Sequence, residues 1–135
     1  MIYYVSGSTY KNGNILSIKQ KVTAPSWKEY KAYNINKKTG KKVTIANLYK
    51  KYGYTKKSFY ETLKNKQIKK TKAIIKRSPG LAEYADEMLK YAKSKESRKG
   101  LQAYLDSHGK LCVVAKINTY AGSGIYQHVF KFSKK

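Results

Sequence analysis

The stretch 44–64, TIANLYKKYGYTKKSFYETLK, constrains the fold more than any other, because its apolar residues keep a helical period on both sides of one glycine. Ile45, Leu48, Tyr49 and Tyr52 fall at i, i+3, i+4 and i+7, which is one face of a helix. Thr44, just ahead, offers a hydroxyl to the unpaired amides of the first turn. Gly53 supplies a turn in which φ is positive, a conformation that a residue without Cβ adopts at no steric cost. Thr55 is placed to cap a second helix, and Phe59 and Leu63, four apart, pack it back on the first. Lys56, Lys57, Tyr60, Glu61 and Lys64 occupy its outer face. The spacing predicts a helix-turn-helix with a basic outward surface.

That segment sits in the most basic part of the chain. Thirty Lys and Arg stand against seven Asp and Glu among 135 residues, a formal net charge of +23. From Lys37 to Arg77 there are fourteen lysines and Arg77 against the single acid Glu61, whereas residues 81–96 hold four of the seven acids. A chain with this field attracts polyanions and repels itself unless one is bound. Nucleic acid is therefore the first partner to consider, duplex DNA ahead of RNA. Lys41 and Lys42 before the first helix and Lys50 and Lys51 at its end are candidate contacts. Tyr54, Thr55, Lys56, Lys57, Tyr60 and Lys64 follow on the turn and second helix, then Lys66, Lys69, Lys70, Lys72, Lys76 and Arg77 beyond it.

Arginine makes the bidentate contacts to guanine that dominate direct readout, and this chain has only Arg77 and Arg98. High affinity with modest selectivity is expected. Tyr54 and Tyr60 interleave with lysines, where rings either stack on unpaired bases or belong to the core; Tyr49 and Tyr52 are assigned to the core.

The string IANLYKKYGYTKKSFYETL is similar to the helix-turn-helix of transposases, resolvases and phage regulators: an apolar-Ala pair, then Tyr-Gly, then Thr opening the second helix. In front of it, YNINKKTGKKVTI gives a short strand, a Thr-Gly turn and a second strand leading into a helix. With that extension, residues 33 to 76 also resemble the nuclease-associated modular DNA-binding domains, the intron-encoded nuclease repeats. The resemblance implies a DNA-binding protein of a phage or other mobile element. Tyr49 departs from the pattern, standing four residues before Gly53 where such motifs carry alanine; its ring must either splay the helices or turn aside. Gly124-Ile125-Tyr126 resembles the opening letters of the GIY-YIG nucleases, but the second tripeptide and that family's Arg and Glu have no counterpart. Two other readings stay open: an RNA- or nucleoprotein-directed inhibitor such as an anti-CRISPR protein, and a homing-type nuclease remnant.

The rest of the chain reads as an α+β fold with terminal hairpins around the central helices. Its regions are 1–36, 37–77 and 78–135, forming one compact body. Residues 2–10 and 15–22 are β-rich and flank Asn12-Gly13, a strong hairpin signal. Ala24-Pro25-Ser26 breaks the second run, and Trp27, Tyr30 and Tyr33 begin a segment leading to the Thr39-Gly40 hairpin. QIKKTKAIIKR reads as a strand, or as a basic arm along a phosphate backbone. LAEYADEMLKYAKSK carries an apolar stripe with acids early and lysines late, which suits a helix dipole. A second short helix is expected over SRKGLQAYLDS, ending at His108-Gly109, and a closing hairpin over KLCVVAKIN and IYQHVFKF. The two terminal hairpins could share one sheet.

Catalytic chemistry is sparse. His108, His128 and Cys112 could form a metal site only if the fold gathered them; Cys112 between Leu111 and Val113 reads as a core residue. Glu83, Asp86 and Glu87 in early helical turns have a structural use before a magnesium one. No cofactor is expected, and the protein is expected not to be an enzyme. No apolar run approaches a membrane span and no leader is evident, so a cytoplasmic location without a membrane partner is expected, with a homodimer mate or host protein as a further possible partner.

Overall fold

The computed structural model describes residues 4–25, 28–120 and 124–135; the expectations resting on Ile2, Ser26, Trp27 and the glycine-rich 121–123 lie outside these. Strands β1 (Tyr4–Asn12) and β2 (Ile15–Thr23) pair antiparallel with Asn12 opposite Ile15. Gly13 and Asn14 form the two-residue turn, with Gly13 at φ 60°. β3 (Lys28–Asn36) returns along the other side of β2. The hairpin expected around Thr39-Gly40 is reduced to a single bridge, Ile35 to Lys42. The reason is local. Asn36 binds the amides of Lys38 and Thr39 through its side chain, and Val43 N–H donates to Asn34 O just before the chain turns into a helix cap.

Helix α1 (Ile45–Lys51) opens on Thr44 and α2 (Lys56–Arg77) on Thr55, each with its hydroxyl accepting from the third amide of the helix. The 22 residues of α2 span roughly 33 Å at the usual helical rise. The helix runs straight through QIKKTKAIIKR, which corrects the reading of that segment as a strand. Its buried stripe is Phe59, Leu63, Gln67 and Thr71, each four residues from the last. Two of the four are polar, so the apolar period fades where the helix continues. Gln67 is fully buried because its amide is satisfied: Nε2 donates to Ser97 O at 3.2 Å and to Lys116 O at 3.1 Å.

A 3-10 turn, Pro79–Tyr84, precedes helix α3 (Ala85–Lys93), so the helix begins later than its apolar stripe predicts. Met88 and Ala92 are buried, while Tyr84 stays exposed. The short helix expected to end at His108-Gly109 is not formed. A 3-10 turn, Lys95–Arg98, leads instead into β4 (Gln102–Leu105), and His108 lies in the turn after it rather than at a helix end. Pairing decides this. Ala103, Tyr104 and Leu105 lie opposite Val113, Cys112 and Leu111, and the Asp106 carboxylate accepts from His108 N–H and Lys110 N–H, both at 2.9 Å. β5 (Leu111–Asn118) and β6 (Ile125–Phe132) form the closing hairpin.

The terminal hairpins do not share a sheet. Each takes a third strand, giving the sheets β1-β2-β3 and β4-β5-β6. Where the sheets meet, side chains do the work of a ladder. Gln127 accepts from Tyr30 N–H at 2.7 Å and Gln102 from Ala32 N–H at 2.9 Å; in the other direction Asn34 donates to Ala103 O at 2.7 Å. Ser17 accepts from Leu105 N–H at 3.0 Å and donates to Asn34 Oδ1. The main core lies between the second sheet and α1 and α2, with Leu48, Tyr49, Tyr52, Phe59 and Leu63 against Leu111, Val113, Ile117 and Phe132.

Two substitutions separate the apolar core from the polar seam. Phe59→Ala should cost about 3–5 kcal/mol in urea unfolding. Asn34→Ala, which strands Ser17 and the Ala103 carbonyl, should cost about 1–3 kcal/mol; an unchanged midpoint for Asn34→Ala would contradict the seam.

Candidate nucleic-acid interface

The candidate residues on α2 fall into three sets, because a buried stripe fixes where every other position points. Lys57, Glu61, Asn65, Lys69, Lys72 and Lys76 are all exposed and follow one another at steps of four or three, a second stripe down the helix. Lys56, Tyr60 and Lys64 lie on one flank, facing Lys95 and Arg98. Lys66 and Lys70 are half-buried on the opposite flank: Lys66 Nζ sits 5.3 Å from the centre of the Phe132 ring, and the charge of Lys70 acts on His128. Burial, then Lys70 and Lys28, lower the pKa of His128. Arg77 is exposed at the end of the helix.

Among the described residues two ion pairs form, Lys99–Glu96 at 2.9 Å and Lys131–Asp106 at 3.4 Å. Neither takes a cation from the segment 37–77. Lys41, Lys42, Lys50 and Lys51 are exposed as well, the last two in the final turn of α1 where positive charge suits the helix dipole. Thr55 is also exposed, but its hydroxyl is engaged in the cap with Ser58.

The turn between the helices is not bare. Gly53 has φ 87°, and the segment Ser133–Lys135 crosses it: Lys135 N–H donates to Tyr52 O at 2.9 Å, and Tyr54 Oη to Ser133 O at 3.1 Å. Lys134 and Lys135 lie over the Tyr52 and Tyr54 rings. Tyr54 is therefore braced against the core, edge-on to Phe132 at 5.5 Å, with Lys135 over its ring. Tyr49 does not turn aside. Its ring lies stacked on Phe59, 4.6 Å between centroids, and becomes the packing surface between α1 and α2.

Arg98 stands outside the set of candidates that charge and spacing single out, and its role explains why. Its Nη1 donates to Gln67 Oε1 and Ala92 O, both at 2.9 Å, and to Ser97 Oγ at 3.2 Å, while Nη2 donates to Lys93 O at 3.1 Å. The guanidinium thus closes the end of α3 onto α2. Asn65 stands outside that set too; only the continuation of α2 past Lys64 brings it onto the lysine stripe.

The residues with catalytic or metal potential lie apart: His108 is exposed in the β4–β5 turn, His128 is on β6, and Cys112 is buried in β5. Burial and the nearby Asp106 carboxylate push the Cys112 thiol up to about 12, which favours the protonated form of a buried core residue. Among the described residues no three His, Cys, Asp or Glu side chains come together, and no helix is long and apolar enough to cross a membrane. No family model, curated protein or solved structure matches the chain.

Gly53 carries the geometry of the whole turn. A Cβ there would lie 3.0 Å from Lys135 Cβ, on a backbone whose φ already disfavours a side chain. Gly53→Ala should therefore lower stability by roughly 1–2 kcal/mol from conformation alone, with further loss from displacing Ser133–Lys135. A melting temperature equal to that of the parent would contradict the positive-φ turn.

Proposed function

We propose that the protein is a non-enzymatic nucleic-acid-binding protein that grips duplex DNA through the outer surface of α2, with α1, the Gly53 turn and α2 used as a helix-turn-helix. The observation that carries this reading is the exposed stripe of Lys57, Lys69, Lys72 and Lys76, which meets no carboxylate partner among the described residues. Concentrated like charge on one rigid helix is self-repulsive, and a phosphate backbone relieves it by releasing its counterions.

The chemistry of the stripe also bears on selectivity. Lysines contact phosphates as point charges, while Asn65 and Glu61, between them on the same stripe, have the groups that match adenine N6 and N7 and cytosine N4. Arg98 is anchored at the end of α3 on the flank of α2 rather than on the stripe, which leaves Arg77 as the arginine on α2 itself that can read guanine. Gripping outweighs reading. The resemblance of residues 33 to 76 and the preference for lysine over arginine are the grounds for placing the protein in a phage or other mobile element.

If roughly six to ten lysines contact phosphate, the log-log salt slope on duplex DNA should be about −5 to −9, with about a thousandfold or greater loss between 50 and 200 mM salt. Replacing Lys57, Lys72 and Lys76 together by Ala should flatten that slope by about one unit for each ammonium group that had bound a phosphate, with the melting temperature unchanged. A folded variant with the parental affinity and slope would sink the reading.

A further inference from the structure

Beside the lysine stripe, Lys56, Tyr60, Glu61 and Lys64 form one wall of an open cleft, and Lys95 and Arg98 form the other. The cleft encloses about 530 Å³, within the range of small-ligand sites and well beyond what a lone phosphate fills. Four cations share it with one carboxylate. Among them Arg98 is fixed: its four hydrogen bonds go to neutral acceptors, and no carboxylate is paired with it among the described residues.

A half-buried guanidinium costs desolvation that neutral acceptors only partly offset, and burial lowers the pKa of Arg98 accordingly. An anion seated among the cleft's cations reverses the sign. Rigidity adds to this, because a cation already held in place loses little entropy on binding. Tyr60 supplies the other half of the chemistry. Its ring is half-exposed, braced edge-on by Phe59 at 5.1 Å, and stands in the same cleft as the guanidinium. A fixed guanidinium, flexible ammonium arms and an aromatic ring within one volume match the three parts of a nucleotide: phosphate charge, sugar-phosphate reach and base plane.

We propose that this cleft seats a single unpaired nucleotide, its phosphate on Arg98 and Lys95 and its base against the ring of Tyr60. The inference rests on the nucleic-acid reading above and adds a preference to it: the stripe holds paired DNA, and the cleft takes a nucleotide freed from pairing at a strand end or in an open stretch. Lys95 and Arg98 lie outside the basic segment 37–77, and only the fold brings them to α2.

The test measures affinity for a blunt duplex and for the same duplex carrying a short single-stranded overhang, by fluorescence anisotropy. Lys95 is exposed, so Lys95→Ala leaves the fold intact; Tyr60→Leu keeps the apolar contact with Phe59. Both variants should lose roughly five- to hundredfold on the overhang, the effect of one base–aromatic stack or its phosphate anchor, and keep the parental affinity for the blunt duplex. The variant lacking Lys57, Lys72 and Lys76 should instead lose affinity for both. AMP and inorganic phosphate serve as competitors. Displacement of the overhang by AMP but not by equal phosphate supports a site for base and phosphate together, and AMP binding more tightly than the overhang would make its source a free nucleotide. Displacement by phosphate as well as by AMP overturns the nucleotide assignment in favour of a simple anion site. Equal losses on blunt and overhang DNA, or no loss on either, also overturn it. Losses confined to the cleft variants, with the stripe variant neutral, would leave the cleft standing and remove the duplex reading instead.

Discussion

Phe59 is fully buried at the point where α1, α2 and β6 meet, and the other elements take their places from it. Tyr49 stacks on one side of its ring, Phe132 lies 5.2 Å away from β6, and Tyr60 and Tyr54 approach edge-on at 5.1 and 6.5 Å. Each such pair adds about 0.5–1.5 kcal/mol beyond the area it buries. The cluster therefore fixes the rotation of α2 about its own axis. Once Phe59 points into the core, Leu63, Gln67 and Thr71 must follow, and Lys57, Lys69, Lys72 and Lys76 must face outward.

One helix thereby serves as the spine of the core and as the proposed binding surface. The dual use needs polar as well as apolar anchors. Gln67, fully buried, connects α2 to β5 through Lys116 O and to the end of α3 through Ser97 O and Arg98. A similar economy joins the two sheets, where Ser17, Asn34, Gln102 and Gln127 satisfy backbone groups of the facing edges that no strand covers. Buried polar groups of this kind specify a single arrangement, since any slip leaves a donor or acceptor unpaired.

Those same polar anchors mark the limit of what could be read from the residues. The caps at Thr44 and Thr55, the turn at Gly53, the Asn12-Gly13 hairpin and the closing hairpin each have a local cause, so spacing reveals them. The α+β class follows from these elements. The continuation of α2 through residues 67–77 does not, because Gln67 and Thr71 occupy core positions with polar side chains and break the apolar period. β4 is hidden for a different reason: Gln102–Leu105 pairs with β5 across a short turn and is bonded on its other side by Ala32, Asn34 and Ser17 of the first sheet, and that tertiary setting overrides its helical pattern. The candidate interface divides in the same way. Its exposed lysines are legible as charge, whereas the flank on which each one lies, and the approach of Lys95 and Arg98, depend on how α2 is rotated.

The rotation set by Phe59 turns one lysine stripe outward, where the proposed duplex DNA would meet it. Lysine acetylation footprinting, read by mass spectrometry with and without a blunt duplex, tests it residue by residue. Protection of Lys57, Lys69, Lys72 and Lys76 is expected, with Lys11, Lys28 and Lys31 on the first sheet reacting as in the free protein. Protection of those sheet lysines while the α2 stripe stays reactive would contradict it.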